Sequence, residues 1–436
     1  MDTTNTITPF SENLNVEEPS ASKEKLNLIL FSAGKLVSLM GSYIYSFAIS
    51  LYILKVTGSG TSFAFSIFIG TIPRVLLSPI AGSLSDRVDK KKMIVGLDFL
   101  SGFVLLGLLA LSLIYGIRLP FIYAASFILS VISTFFNNCF NAAIPSLVTD
   151  KSLMKINAYG RSIDSVSQIL GPVMGGMVFG LISMKLFFLM NGVSFILSAI
   201  SEMFIDFNYN KARESKSEGN AKLCLRTVWE DIKEVVVFIK GNKILSVVMP
   251  FSISCNFFLA ASFSVVLPFV VNNVLGMSSV QYGMIEGAFP VGMLVTAIII
   301  SKLPEKEKNR KGLFIGIMGM GVLSIAMGLP VLDMFIGLNV QLVFLYYMSM
   351  LFMYAIFLLM LDMPMMVVMQ RTIPSEMLGR VMGVLMTISG GLTPLGILLT
   401  GVFIEIIPAY MVFFATGIYF VIASFVMYKS KGIQEY

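Results

Sequence analysis

The sequence predicts an all-α integral membrane protein whose twelve transmembrane helices form two six-helix bundles. Composition, run length and charge placement carry that prediction. Of 436 residues, 56% are hydrophobic and only 13% charged, with a mean hydropathy of +0.86. Soluble domains hold about 45–50% apolar and about 25% charged residues. The apolar residues gather into long runs, and their total matches ~12 crossings of about 20 residues each. A water-soluble enzyme, a disordered chain and a fibrous protein are disfavoured on these grounds.

Residues 1–26 are polar and hold too few apolar side chains to fold, so they read as a disordered cytoplasmic tail. They lack the short apolar run of a secretory signal. Six spans follow at 27–54, 61–83, 93–115, 119–143, 161–183 and 185–206, forming an N-terminal bundle over 27–207. A charged linker, 208–242, ends in a stretch of helical apolar spacing around Trp229, the amphipathic pattern of a helix lying on a membrane surface. Six more spans, 243–271, 279–301, 312–330, 339–366, 379–403 and 407–428, make a C-terminal bundle over 243–428, and 429–436 is a second cytoplasmic tail.

Numbering the loops alternately puts about 26 of the 31 lysines and arginines on the side of the termini, leaving Lys55, Arg118 and Lys185 opposite. Cytoplasmic loops collect such residues, so both termini are expected in the cytoplasm of a multi-pass plasma-membrane protein. The net charge of +6 follows from that bias, and no nucleic-acid partner is implied. With no histidine, catalytic triads, histidine shuttles and most zinc sites are excluded. Cys139, Cys224 and Cys255 match no metal or disulfide spacing. No metal, cofactor or enzymatic activity is expected, and no phosphate-binding G-x-x-x-x-G-K-[ST] loop occurs to fuel an ATP-driven pump.

The halves resemble each other. Ile144-Pro145-Ser146-Leu147 follows the fourth span and Ile373-Pro374-Ser375-Glu376 the tenth. A six-plus-six repeat suits alternating access.

Four stretches carry a family resemblance. Gly82-Ser83-Leu84-Ser85-Asp86-Arg87-Val88-Asp89-Lys90-Lys91-Lys92, after the second span, resembles the major facilitator superfamily signature G-x-L-x-D-R-x-x-R/K-R/K. There Gly82 permits close helix approach, Asp86 can pair with a helix N-terminus or an arginine, and the basic run, Lys90 and Lys91 included, holds the inner face. Gly171-Pro172-Val173-Met174-Gly175-Gly176 resembles the G-P-x-x-G-G motif of drug exporters, where proline bends the helix and glycines allow tight contact. Ala33 to Ser42, and Gln370-Arg371-Thr372-Ile373-Pro374 with Leu378-Gly379-Arg380, are similar to the macrolide-efflux and enterobactin-exporter-like branch. The resemblance implies the major facilitator fold with spans one, four, seven and ten lining a central cavity. Asn137, Asn138, Asn141 and Asn256 are then the substrate-cavity candidates. Gly82, Asp86, Arg87, Lys90, Lys91, Gly171, Pro172, Gly175, Gly176 and Arg380 are the gating candidates.

Ionisable groups near the bilayer centre cost about 2.5–3.5 kcal/mol on insertion scales, so each needs a partner, water or a function. Glu286, Asp362 and Arg74 are the least able to reach an interface. Glu286 or Asp362 is expected to carry a proton, with Arg74 as the mobile counter-charge, since burial favours a neutral carboxyl and an approaching cation an ionised one. Lys35, Asp98, Asp164, Glu202 and Asp206 lie within about two turns of the inner face and are expected to snorkel. The functional expectation is a monomeric, proton-coupled multidrug antiporter that exports amphipathic, macrolide-like antibiotics. A metabolite or siderophore importer of the same fold and a non-transporting membrane sensor are the alternatives.

Overall fold

The computed structural model describes residues 21–85, 88–149, 152–207, 209, 225–301, 310–332, 334 and 339–430. Among these it is helical throughout, with no strand. The first bundle comprises α1 (Ala21–Thr57), α2 (Gly60–Ser85), α3 (Lys90–Tyr115), α4 (Leu119–Leu147), α5 (Leu153–Leu181) and α6 (Met184–Met203). The linker helix is α7 (Leu225–Gly241). The second bundle comprises α8 (Leu245–Val274), α9 (Ser279–Ser301), α10 (Arg310–Gly328), α11 (Val340–Thr372), α12 (Ser375–Ile406) and α13 (Ala409–Lys429). Most helices overrun the apolar runs that predict them, because polar turns continue each helix beyond its hydrocarbon-length core. Eleven of the twelve bundle helices are long and apolar enough to cross a membrane. The twelfth, α5, has 29 residues, and Lys155, Arg161 and Asp164 dilute its first half.

The short connections follow from local chemistry. Asp89 accepts the Lys92 backbone N–H at 3.1 Å and caps α3, and Ser183 accepts from Leu186 N at 3.3 Å to cap α6. Gly58, at φ +62°, lets α1 reverse into α2 across two residues. In α8 the backbone widens into π-helical turns at Ser262–Val266 and Val270–Val274.

Twelve traverses return the chain to the end where it began, here termed the terminal end. Within the first bundle α3 packs on α6, α1 on α5 and α2 on α4; within the second α10 packs on α13, α9 on α11 and α8 on α12. Two seams join the bundles, α5 against α9 and α2 against α12.

The buried cores show where the bundles meet. Near the far end, beside a core of the first bundle alone on Ile53, Ile122 and Phe188, one core runs through both bundles, taking Leu54, Phe63 and Ala64 from the first and Val266, Tyr282, Tyr347, Ile404 and Phe413 from the second. Near the terminal end the cores are separate. One, built on Phe31, Ile94, Phe140 and Ile156, belongs only to the first bundle, and another, on Leu245, Ile317, Met365 and Val381, only to the linker helix and second bundle. Among the described residues, the bundles share a core at the far end and keep separate cores at the terminal end.

Candidate functional site

The far-end closure is built from small residues. A Cβ on Gly176 of α5 would run into the Ser279 carbonyl oxygen of α9, and one on Gly283 of α9 would lie 2.6 Å from the Pro172 oxygen. Deeper in the same seam, a Cβ on Gly287 would lie 2.8 Å from Val173. Thus Pro172 and Gly176, expected at a gate, sit on the contact between bundles. Gly171 and Gly175 face the other way, against Tyr43 and Phe47 of α1 in their own bundle. The Phe47 ring stacks in turn on Tyr282 of α9, with centroids 5.1 Å apart.

The second seam closes through Glu405 of α12. Its Oε1 accepts from the Thr61 backbone N–H at 3.0 Å and from the Ser59 hydroxyl, so a carboxylate of one bundle sits on the N-terminus of α2 in the other. Anions are favoured at that helix pole. Thr61 also donates to the Gly401 oxygen at 3.2 Å. An exposed cap of this kind contributes about 0.5–1 kcal/mol. Glu405→Ala is therefore expected to raise the share of far-end-open molecules about two- to fivefold. Maleimide labelling of a cysteine introduced at Ser66, from the far side of sealed vesicles, measures it; unchanged labelling rules the cap out as a latch.

Between the closed end and the parted end lies a cavity of about 340 Å³, walled by α1, α2, α3, α4 and α6. Its wall is rich in hydroxyls. Ser38, Ser42, Ser46 and Ser50 form a stripe along one face of α1, and Ser126, Ser130 and Ser133 face them from α4. Many of these hydroxyls donate to their own helix or a neighbouring one, as Ser42 does to the Ser38 oxygen at 2.8 Å and Ser130 to the Gly70 oxygen at 2.7 Å. A hydroxyl that donates in this way keeps acceptor capacity on its oxygen. Tyr43, Phe136 and Phe195 supply apolar surface.

Of the four cavity candidates, Asn137 lines this space. Asn138 lies nearer α2, where a Cβ on Gly82 would be 3.8 Å from its side-chain oxygen. Asn141 and Asn256 are exposed. Asn137, Asn138 and Asn256 each spend one amide donor on the backbone oxygen four residues earlier.

The three deep charges are not brought together. Arg74 lines the cavity and makes no ion pair with Glu286 or Asp362 among the described residues. Glu286 lies in α9, one turn from Tyr282, and its Oε2 is buried without a hydrogen bond. Beside it is Gly287, pressed on Val173 of α5. Asp362 is exposed on α11 and faces Cys255 of α8. In the loop after α2, Lys91 donates to the Ile205 oxygen beyond α6 at 3.1 Å and Lys90 opens α3. Asp86, Arg87 and the side chain of Arg380 lie outside the described residues.

The snorkelling expectation is corrected for three groups. Lys35 is 7%, Asp98 2% and Glu202 0% exposed. Depth along a helix does not fix azimuth: these side chains point into the bundle, where the nearest polar groups lie sideways on other helices. Lys35 reaches α5, pairing with Asp164 at 2.9 Å and donating to the Gly160 oxygen at 3.1 Å. Asp98 accepts from Ser38 at 2.6 Å.

A family model described as the Major Facilitator Superfamily matches residues 31–396. The chain is 23% identical over 315 residues to macrolide efflux protein A of Streptococcus pyogenes, covering 72% of this chain and 75% of that one. It is also 23% identical over 429 residues to an uncharacterized MFS-type transporter of Bacillus subtilis (strain 168), covering 96% of each. Among solved structures, a bacterial homologue of the iron transporter ferroportin in its inward-facing state superposes with a TM-score of 0.68 at 16% identity, covering 94% of this chain and all of that one.

Proposed function

The chain belongs to the Major Facilitator Superfamily, a family of multi-pass membrane transporters of small molecules, and on that premise we propose that it is a proton-coupled exporter of amphipathic, oxygen-rich compounds of the macrolide kind. The observation that carries this reading is the asymmetric closure: a core shared by both bundles at the far end, and separate cores around a parted terminal end. With the termini cytoplasmic, as the lysines and arginines of the loops favour, the molecule is open to the cytoplasm and shut to the outside of the plasma membrane. The cavity then takes its cargo from inside the cell. Its serine-striped wall offers acceptors to hydroxyl-bearing molecules, while Tyr43, Phe136 and Phe195 suit their apolar faces. Similarity to macrolide efflux protein A supports the direction and the compound class.

Glu286 supplies the coupling. A closed α5–α9 seam accommodates a neutral carboxyl and penalises a charged one. A proton taken up from outside lets the seam close, and its release to the cytoplasm as cargo binds lets the seam reopen outward, so one cycle exchanges cargo for proton. Asp362, exposed on α11, and Arg74, in the cavity wall, serve as secondary relay and counter-charge. Asn137 orients cargo in the cavity, and the protein works as a monomer.

Reconstitution in vesicles with an imposed pH gradient tests the reading. Macrolide is expected to accumulate on the far-end side when protons are driven the opposite way, and expression in a pump-deficient host is expected to lower macrolide susceptibility. Flux that ignores the gradient would overturn the coupling, and uptake toward the terminal end would identify an importer.

A further inference from the structure

The first bundle buries a pair of carboxyl groups that the scheme above leaves unused. Asp98 of α3 and Glu202 of α6 come together beneath the cavity, 2% and 0% exposed. They are linked by hydroxyls: Ser38 of α1 donates to Asp98 at 2.6 Å, and its oxygen lies 3.1 Å from that of Ser198, one turn before Glu202 on α6. Both Glu202 oxygens are fully buried and without a hydrogen bond, and the ionisable group facing them is Asp98.

The other charges nearby are accounted for. Lys35 of α1 is drawn aside to α5, where it holds Asp164 and the Gly160 oxygen. Arg74 of α2 lines the same cavity as Asp98, and α4 contributes no ionisable group there. Among the described residues, no cation is therefore committed to the pair. Nor is there room for a hydrated ion, since the α1 backbone presses on the carboxyl: a Cβ on Gly34 would lie 3.1 Å from Glu202 Oε1. The bound cation that fits is a proton. Two carboxylates crowded into a low-dielectric interior do not both ionise.

We propose that Asp98 and Glu202, with the Ser38 and Ser198 hydroxyls lying between them, form a dyad that holds one exchangeable proton, loaded and emptied through the cavity at Asp98 and separate from Glu286. Loading moves a proton from cavity water to a carboxylate oxygen, and unloading returns it to water; only O–H bonds form and break. Asp98 is the entry, because it alone of the two lines the cavity. From Asp98 the hydroxyls of Ser38 and Ser198 lead to within one helical turn of Glu202, and rotation of its carboxyl toward Ser198 would complete the path. The dyad rests on the transporter reading only for its use, and its presence is measurable without any cargo.

The test is infrared difference spectroscopy of the full-length protein in lipid, titrated with pH. In Glu286→Gln protein, a neutral-carboxyl C=O band worth one group is expected to fade as pH rises, and adding Asp98→Asn and Glu202→Gln is expected to remove it. A band that survives those two changes, or one that fails to titrate wherever the protein stays folded, overturns the dyad. Should the combined variant not fold, Ser38→Ala keeps both carboxyls and removes their bridge. A moved titration midpoint in Ser38→Ala supports the proposal and an unmoved one overturns it. Loss of proton-driven export in Glu286→Gln with the dyad band intact separates this site from the one proposed above.

Discussion

Glu286→Gln protein is expected to bind macrolide but to export none of it uphill. The amide has the shape of the protonated side chain and cannot ionise, so the α5–α9 seam loses its reason to open. The ionised carboxylate would cost the closed seam about 2.5–3.5 kcal/mol, which corresponds to roughly a 70- to 400-fold bias between closed and open far ends. Removing that bias leaves the protein standing in the conformation described here. Far-side labelling of a cysteine introduced at Ser66 should fall to background, while ligand binding from the terminal side stays within about twofold of wild type. Asp362→Asn is expected to weaken coupling less, because Asp362 is exposed rather than locked in a seam. Normal pumping by both variants would remove the carboxyl coupling from the mechanism.

Gly176→Leu should push the other way. A side chain at 176 meets the Ser279 backbone, which cannot rotate aside as a side chain would. Overpacking of this kind costs about 1–3 kcal/mol, occasionally more. Charged to the closed state alone, it shifts the equilibrium about 5- to 150-fold toward far-end-open molecules. Far-side labelling should rise and export should fall, with a normal yield of folded protein. Gly175→Leu, one residue away, presses on Phe47 within its own bundle and is expected to lower thermal stability instead. If Gly176→Leu exports normally at normal expression, the seam is not the gate.

That pair of glycines shows what the sequence displays and what it conceals. Successive residues on a helix point about 100° apart, so Gly175 and Gly176 serve different partners although they read as one motif. The helices themselves were legible, because hydropathy averaged over about 20 residues is a one-dimensional signal that neighbours do not alter. Lys35, Asp98 and Glu202 were misread because distance from the membrane face was counted along the helix and direction around it was not. The meeting of Asp98 with Glu202 depends on how α3 packs on α6, which no local pattern records. One cavity signal was available and passed over: Ser38, Ser42, Ser46 and Ser50 recur every four residues, a polar stripe down an otherwise apolar helix.

In the alternating cycle proposed above, the core shared by the two bundles would exist only while the far end is shut. Each closure withdraws aliphatic and aromatic surface from contact with water, and each opening wets it again. Such a change carries a heat-capacity difference, so the balance between the two states bends with temperature rather than following a straight van't Hoff line. In the cold the water-driven adhesion that keeps Phe63, Tyr282 and Phe413 together fades, and the resting orientation of the protein becomes a thermometer of its own seal.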